Sequence, residues 1–442
     1  MNTPASIDTL IEARWIIPVE PETVLMHHTL VIDNGLIVDI LPATEARQRY
    51  TPRQAITLNN HALIPGLINL HTHAAMTLMR GLADDLPLMD WLNHHIWPAE
   101  HRHVSAQYVS DGTLLACAEM IRGGITCFND MYFFPQAAAE AAIQSGMRSA
   151  IGLIVIDFPT TYASDSDDYL EKGLNLHDQY RQHPLLNFCF APHAPYTVSD
   201  DTFSRIVTYA EQLNLPVHTH LHETPAEIRL SEEKHRSRPI DRMQQLGLLG
   251  PNLIATHMIH LTDHEMDLMQ RYGCHIVHCP SSNLKLASGL APVASLLQRN
   301  VNVGIGTDGA ASNNRLDMFE EMRLTALLAK VVTGRADSIP AHQALKMATL
   351  NGAQALGLEA KTGSLTKGKA ADITAIDFSS IAMTPCYDPV SHLVYTASHD
   401  QVSHVWVDGK MLLQDGELTT LDSTDIRSRT LYWQERIAAS RS

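Results

Sequence analysis

The sequence has 442 residues, of which 45% are hydrophobic and 18% charged, and its formal net charge is −16. A chain of this length can bury a large core and has room for two or three domains. The acidic balance leaves no basic surface for nucleic acid or anionic lipid and favours small neutral or cationic partners. The six cysteines contain no CxxC pair, the N-terminus has no signal-peptide pattern, and no run is long enough for a membrane span. We therefore expect a cytoplasmic protein, with a homo-oligomer left open.

Strands are predicted for the first 60 residues, where Asn34-Gly35 separates two β-branched runs and is a strong hairpin signal. Eight short apolar runs then alternate with helical patterns. The runs are GLINLHTH, ITCFNDM, RSAIGLIVID, LNFCFAPH, PVHTHLHE, LIATHMIH, HIVHCPSSN and VNVGIGTD. The helical pattern at 106–122 ends at Gly123-Gly124, and the one at 200–213 opens with acidic candidate N-caps. Such alternation predicts an α/β fold with a (β/α)8 TIM-type barrel, and a doubly wound sheet is the alternative.

Strand-like runs return towards the C-terminus, where Asp408-Gly409 marks another hairpin turn. We predict that residues 1–62 and 363–442 together form a small β-sandwich domain built from both chain termini. Residues 63–362 then form the barrel.

Histidines, 25 in all, collect at the ends of the predicted barrel strands. Strand 1 ends with His71 and His73, strand 4 with His193, strand 5 with His218, His220 and His222, strand 6 with His257 and His260, and strand 8 with Asp308. Residues two apart on a strand point to the same side, so His71 and His73 can reach one cation. A third histidine and a carboxylate on the same rim would complete a three-nitrogen, one-oxygen set suited to zinc or ferrous iron. The same alternation puts His218 and His222 on the face of His220, and the residues do not decide among the three.

Several motifs carry a resemblance to a known family. PGLINLHTH, HLHET, THMIHL, HCPSSNLKLASG and GIGTDGAASNN, in this order, resemble the amidohydrolase superfamily. WPAE, APHAPYT and TDGAASNN resemble, more narrowly, the 5-methylthioadenosine/S-adenosylhomocysteine deaminases. The resemblance covers essentially the whole chain. It implies a metal-dependent hydrolytic deamination at C6 of adenine nucleosides, which releases ammonia and leaves the inosine analogue.

The resemblance also implies a metal site. Its ligands would be His71, His73, His220 and Asp308, which hold one divalent ion per subunit, Zn²⁺ or alternatively Fe²⁺. Binuclear relatives use a carbamylated lysine at the end of strand 4, but residues 181–200 contain no lysine. One metal is therefore expected, and it would lower the pKa of bound water towards neutrality.

Three catalytic roles are implied in the same way. Asp308 would accept the proton of the water as well as bind the metal, and His257 would direct the attack. Glu223 follows His220 by three residues, so strict alternation would turn it away from the metal. We therefore expect Glu223 beyond the strand end, where a loop returns it to the site. Its carboxyl would carry protons to ring N1 and to the departing amine.

Substrate contacts are implied for Glu100 and His193, in addition to Glu223 and Asp308. Glu100 would accept hydrogen bonds from the ribose diol, and His193 would face the sugar. The apolar stretch 76–92 either lids the pocket or packs in the core.

A substrate preference is predicted from the segment that follows strand 3. Residues 156–170 contain aspartates but no arginine or lysine. The carboxylate of S-adenosylhomocysteine would gain no charge-assisted hydrogen bond there and would be repelled by the aspartates, whereas methylthioadenosine carries no such charge. Methylthioadenosine is therefore the expected better substrate, unless Arg80, Arg102 or Arg148 reaches the tail.

Two other functions are alternatives. The first is a guanine or triazine-type aminohydrolase or chlorohydrolase of the same superfamily, which would have no ribose for Glu100 to bind. The second is a non-catalytic amidohydrolase-like scaffold. Such proteins typically lose metal ligands, and this chain keeps all four.

Overall fold

Two eight-stranded sheets organise the chain, and the computed structural model describes residues 4–440. The strands are β1 (Ala5–Ile16), β2 (Leu25–Asp33), β3 (Leu36–Pro42), β4 (Tyr50–Pro65), β5 (Leu67–Thr72), β6 (Ile125–Asp130), β7 (Arg148–Val155), β8 (Leu186–Pro192), β9 (Val217–Leu221), β10 (Leu253–His257), β11 (His275–His278), β12 (Asn302–Ile305), β13 (Ile373–Asp377), β14 (Val402–Val407), β15 (Lys410–Gln414) and β16 (Glu417–Leu418). The helices are α1 (Ala43–Arg49), α2 (Leu88–Trp91), α3 (Trp97–His103), α4 (Ala106–Arg122), α5 (Pro135–Ser145), α6 (Ser166–Tyr180), α7 (Asp200–Leu213), α8 (Pro225–His235), α9 (Pro239–Gln245), α10 (Asp263–Tyr272), α11 (Pro280–Lys285), α12 (Val293–Gln298), α13 (Ala310–Asn313), α14 (Met318–Thr333), α15 (Ala341–Met347), α16 (Leu350–Ala355), α17 (Pro389–Tyr395) and α18 (Ser423–Ala439). Short 3₁₀ helices cover Ala74–Met79, Ile381–Met383 and His399–Gln401, and a π-helical turn covers Leu92–Ile96.

Strands β5 to β12 form the barrel, and each pairs in parallel with the next in chain order. They coincide with the eight apolar runs of the sequence. These runs are apolar because parallel strands are covered on both faces, by helices outside and by side chains inside. The backbone N–H of Asp308, beyond β12, donates to the carbonyl of His71 in β5 at 3.0 Å, which brings the last strand beside the first. The predicted (β/α)8 barrel is confirmed.

The second sheet joins both ends of the chain, in the strand order β16-β15-β14-β13-β4-β1-β2-β3. Strands from both termini therefore form one sheet separate from the barrel, which confirms that the predicted terminal β-domain is built from both ends of the chain; its strands pair as one continuous sheet. Asn34-Gly35 connects β2 to β3, and Asp408-Gly409 connects β14 to β15. All four residues have positive φ, as two-residue hairpin turns of this type require. The domain boundaries at residues 62 and 363 stay predictions.

A buried ion pair connects the barrel to this terminal sheet. Arg148, at the start of β7, donates from Nε and Nη2 to the carboxylate of Asp372 at 2.9 and 3.1 Å. Its Nη2 also donates to Asp408 at 2.6 Å. The side chains of Arg148 and Asp372 are both fully buried. Arg148 therefore lies at the amino end of its strand, opposite to the rim on which barrel chemistry takes place.

The two helical patterns noted in the sequence form α4 and α7. α4 ends at Gly123 as predicted. The N-cap of α7 is Ser199, whose Oγ accepts from the backbone N–H of Thr202. The prediction of an acidic N-cap is therefore wrong. Asp200 and Asp201 follow in the first turn, where their charge interacts favourably with the helix dipole.

Candidate metal and active site

Four side chains predicted as metal ligands meet at the carboxyl ends of the barrel strands. One donor atom each from His71, His73, His220 and Asp308 lies within 4.8 Å of the others. The Nε2 atoms of His71 and His73 lie 3.2 and 3.3 Å from Asp308 Oδ1. His71 Nε2 is buried and has no hydrogen-bond partner within residues 4–440. Three imidazoles and one carboxylate are donors that zinc and ferrous iron accept, so the residues present fit the predicted metal.

Two of these histidines are oriented through backbone carbonyls. His73 Nδ1 donates to the carbonyl of Met131 at 2.5 Å, and His220 Nδ1 donates to the carbonyl of His193 at 2.7 Å. Such bonds fix the ring and its tautomer and leave Nε2 available to a metal. The carbonyl of His193, just after the fourth barrel strand, therefore orients the metal donor His220 on the fifth strand.

The three histidines of the fifth barrel strand have different surroundings. His218 is fully buried, and its Nε2 lies 3.0 Å from Nδ1 of His71. His222 lies past the end of β9 with φ at +55°, and its Nε2 accepts from the backbone N–H of Ile240 at 3.2 Å. The prediction that His222 shares the face of His220 is therefore wrong, because strict alternation stops where the strand ends. His218 orients a donor, and only His220 belongs to the donor set.

Two serine hydroxyls hold the carboxylate of Asp308. Ser282 and Ser312 donate to Oδ2 at 2.6 and 2.9 Å, and the N–H of Gly309 donates to Oδ1 at 2.7 Å. Burial raises the pKa of Asp308, but the close approach of His71 and His73 to its carboxylate outweighs burial and holds that pKa well below its usual range. Neither serine was singled out from the sequence. Ser282 lies in the PSSN motif and Ser312 in the AASNN motif, and these motifs are the only sign in the sequence that the two serines belong to the site.

Glu223 and His257 lie together beside the donor set. Glu223 is 6% exposed and lies two residues beyond β9, as predicted. Its Oε2 is 3.8 Å from Nε2 of His257, whose Nδ1 is held 2.8 Å from Oδ1 of Asn283. Burial raises the pKa of Glu223, which favours the protonated form that a proton donor needs.

His73, His220, Asp308, Glu223 and His257 line one cavity of about 280 Å³. Much of its wall is apolar and aromatic, and includes Trp91, Phe133 and Phe158. The stretch 76–92 contributes Met76 and Trp91 to the wall, whereas Met79 packs in the core. None of the described residues that line the cavity is a lysine or an arginine.

Glu100 and His193, the predicted substrate contacts, lie in the wall of the same cavity. The hydroxyl of Tyr132 donates to Glu100 Oε1 at 2.8 Å, a contact for which the sequence carried no signal. Burial raises the pKa of Glu100 to about 7, although the Tyr132 bond opposes this. His193 Nδ1 lies 3.0 Å from Oγ1 of Thr197, and burial lowers the His193 pKa to about 3, so the ring is neutral.

The aspartates of segment 156–170 do not line the cavity, although Phe158 from this segment does. Asp157 accepts from the N–H of Ser199 at 2.6 Å and from the hydroxyl of Thr202 at 2.8 Å. The structure therefore does not support the predicted repulsion between these aspartates and a substrate carboxylate. The described part of the cavity wall still offers no lysine or arginine to a substrate carboxylate.

A (β/α)8 barrel with a metal donor set and a buried carboxyl at the carboxyl ends of its strands defines the class of metal-dependent barrel hydrolases. The model of the Amidohydrolase family matches residues 62–412. The chain belongs to the amidohydrolase family.

Individual relatives match this chain over nearly their whole length. The chain is 50% identical to the 5-methylthioadenosine/S-adenosylhomocysteine deaminase of Saccharophagus degradans, over 100% of this chain and 99% of the relative. It is 40% identical to the 5'-deoxyadenosine deaminase of Methanosarcina mazei, over 98% of this chain and 99% of the relative. The crystal structure of an adenosine deaminase from Xanthomonas campestris with bound zinc has a TM-score of 0.98 and 46% identity, and covers 99% of this chain and 100% of that one.

Proposed function

We propose that this chain is a metal-dependent aminohydrolase that replaces the 6-amino group of adenine nucleosides by oxygen and releases ammonia. One observation carries the proposal: three members of the donor set (His73, His220 and Asp308), the buried carboxyl of Glu223 and the carboxyl of Glu100 all line one cavity. The donor set suits a metal, the carboxyl of Glu223 suits a proton donor, and the carboxyl of Glu100 suits a ribose diol. Relatives named for methylthioadenosine, S-adenosylhomocysteine and 5'-deoxyadenosine support the same substrate class.

The proposed cofactor is one divalent ion per subunit, held by His71, His73, His220 and Asp308. Zinc is favoured because the Xanthomonas campestris relative was crystallised with it, and the same donors also suit Fe²⁺. When bound, the ion supplies Lewis acidity that lowers the pKa of a water molecule towards neutrality.

Two side chains carry protons in the proposed reaction, and a third orients the attacking water. Asp308 accepts a proton from the attacking water, and His257, fixed by Asn283, orients that water towards C6. Glu223 donates a proton to ring N1 while the C6–O bond forms. Glu223, now a carboxylate, takes the proton of the new C6 hydroxyl and passes it to the amine while the C6–N bond breaks. Transfer of the proton held by Asp308 back to Glu223 restores both groups. Water thus supplies the new oxygen, and the products are a 6-oxopurine nucleoside and ammonia.

Among these nucleosides, we propose a preference for uncharged 5' groups. Met76 and the aromatic residues of the wall suit a thioether. The three arginines considered as contacts for a charged tail are engaged elsewhere: Arg80 with Glu119, Arg102 with the carbonyl of Ser440, and Arg148 with Asp372. Methylthioadenosine should therefore be a better substrate than S-adenosylhomocysteine.

We place the proposed enzyme in the cytoplasm, where its six unpaired cysteines would stay reduced. Within residues 4–440, no helix is both long enough and apolar enough to cross a membrane. The homo-oligomer stays a prediction.

Ammonia release from adenosine, methylthioadenosine, S-adenosylhomocysteine, guanine and melamine tests the proposed function. We expect the zinc-loaded protein to deaminate the nucleosides. Glu223→Gln should lower kcat by roughly 10²- to 10⁴-fold without loss of metal, because the amide cannot carry protons. Turnover of guanine or melamine alone would favour the other aminohydrolases, and no turnover of any compound would favour the scaffold.

A further inference from the structure

Glu227 is a buried carboxylate next to Glu223, and the proposed reaction gives it no role. It lies four residues after Glu223, in the first turn of α8, and is 5% exposed. Its Oε1 accepts from the backbone N–H of His222 at 2.9 Å, and its Oε2 accepts from the backbone N–H of Glu223 at 2.8 Å. One carboxylate therefore holds the two residues at which the chain leaves β9.

The backbone at this point is in a conformation that needs support. His222 has φ at +55°, in the left-handed region that residues with a side chain rarely adopt. This turn lets Glu223 lie beside His257 although strict alternation would direct it away. The N–H groups of His222 and Glu223 are buried and need acceptors, which Glu227 supplies.

The pattern of bonds differs from an ordinary helix start. Thr224 is the N-cap of α8 and accepts from the N–H of Glu227 at 3.3 Å. In a capping box, the glutamate at this position returns to the N–H of the N-cap, as Glu265 does to Thr262 at the start of α10. Glu227 instead reaches beyond Thr224 to the two residues before it. Its carboxylate thus supports the loop that carries the proposed acid.

We propose that Glu227 is a positioning residue for Glu223, whose carboxyl it keeps beside His257 and towards the substrate. The inference rests on the proposed function, in which Glu223 carries protons. A reacting group displaced by about 1 Å loses on the order of 10²-fold in rate. Glu227→Gln turns an amide NH₂ towards one of the two backbone N–H groups, so it should lower kcat by roughly 10- to 10²-fold. KM should change little, because Glu227 does not contact the ribose site.

A double-mutant cycle tests this inference with Glu223→Gln, Glu227→Gln and the double variant, all loaded with zinc. Methylthioadenosine is the substrate, and kcat, zinc content and the unfolding temperature are measured for each protein. If Glu227 acts through Glu223, Glu227→Gln lowers kcat in the native background and adds almost nothing in the Glu223→Gln background. Glu232→Gln, at an exposed position of the same helix, is the control and should leave kcat unchanged.

Losses that multiply in the double variant would overturn the inference, as would a fall in zinc content that matches the fall in kcat. A normal kcat in Glu223→Gln would instead refute the proposed acid, and the inference would fall with it. If Glu227→Gln does not fold, Glu227→Asp serves in the same cycle. It keeps the charge but is one methylene too short to reach both N–H groups, so the same two outcomes are decisive.

Discussion

Replacing Glu100 by glutamine tests whether the cavity recognises a ribose. Oε1 of Glu100 accepts from the hydroxyl of Tyr132 at 2.8 Å, which leaves Oε2 as the acceptor for a substrate hydroxyl. In Glu100→Gln, the remaining carbonyl oxygen can keep the Tyr132 bond. The new amide then directs N–H donors at the diol in place of a charged acceptor.

The magnitude follows from the bond that is lost. A hydrogen bond to a charged group contributes about 1.5–3 kcal/mol. Since about 1.4 kcal/mol corresponds to a factor of ten, kcat/KM for a nucleoside should fall roughly 10- to 100-fold. The free base adenine has no ribose, so its kcat/KM should not change.

The assay is steady-state deamination of adenosine and adenine, followed by ultraviolet absorbance. Glu140→Gln is the matched control, because Glu140 also accepts from a tyrosine hydroxyl, that of Tyr180 at 3.1 Å, but on the surface. Glu140→Gln should behave as the parent protein with both substrates. Equal losses for adenosine and adenine in Glu100→Gln, or no loss for either, would refute ribose recognition by Glu100.

Four further outcomes are expected. His220→Ala should lose bound zinc and activity together, and full zinc occupancy in an inactive variant would contradict its role as a ligand. Methylthioadenosine should show a higher kcat/KM than S-adenosylhomocysteine at low salt, and equal or reversed preference would mean that a cation reaches the tail. Burial raises the pKa of Glu100 to about 7, so its carboxylate is present above that pH and lost below it. Nucleoside KM should accordingly rise as the pH falls below 7, and Glu100→Gln should abolish this dependence. Arg148→Ala leaves Asp372 buried without its partner, so urea denaturation should show a loss of about 3–5 kcal/mol in the free energy of unfolding. The kcat of the folded Arg148→Ala protein should not change.

The barrel was predictable from the sequence because it depends on short periodic patterns, and the donor set because those patterns place histidines at strand ends and the family resemblance chooses among them. Eight apolar runs separated by helical patterns require a parallel sheet covered on both faces. In a closed barrel the carboxyl ends of all strands meet on one rim, so His71 and Asp308 could be placed together although 236 residues lie between them. The resemblance to the amidohydrolase superfamily then singled out His220 among the strand-5 histidines.

Only the tertiary structure decided what surrounds these side chains. His222 turns away because the chain adopts a positive φ just past β9, and no periodicity extends beyond a strand end. Tyr132 on Glu100, the serine hydroxyls on Asp308, and Glu227 on the backbone of Glu223 join elements that are separate in the chain or lie in loops. The sequence determined which residues could carry the chemistry, because strand and helix patterns are local. The loops that join those elements determined how each residue is held, because every buried N–H, hydroxyl and carboxylate must find its partner in three dimensions.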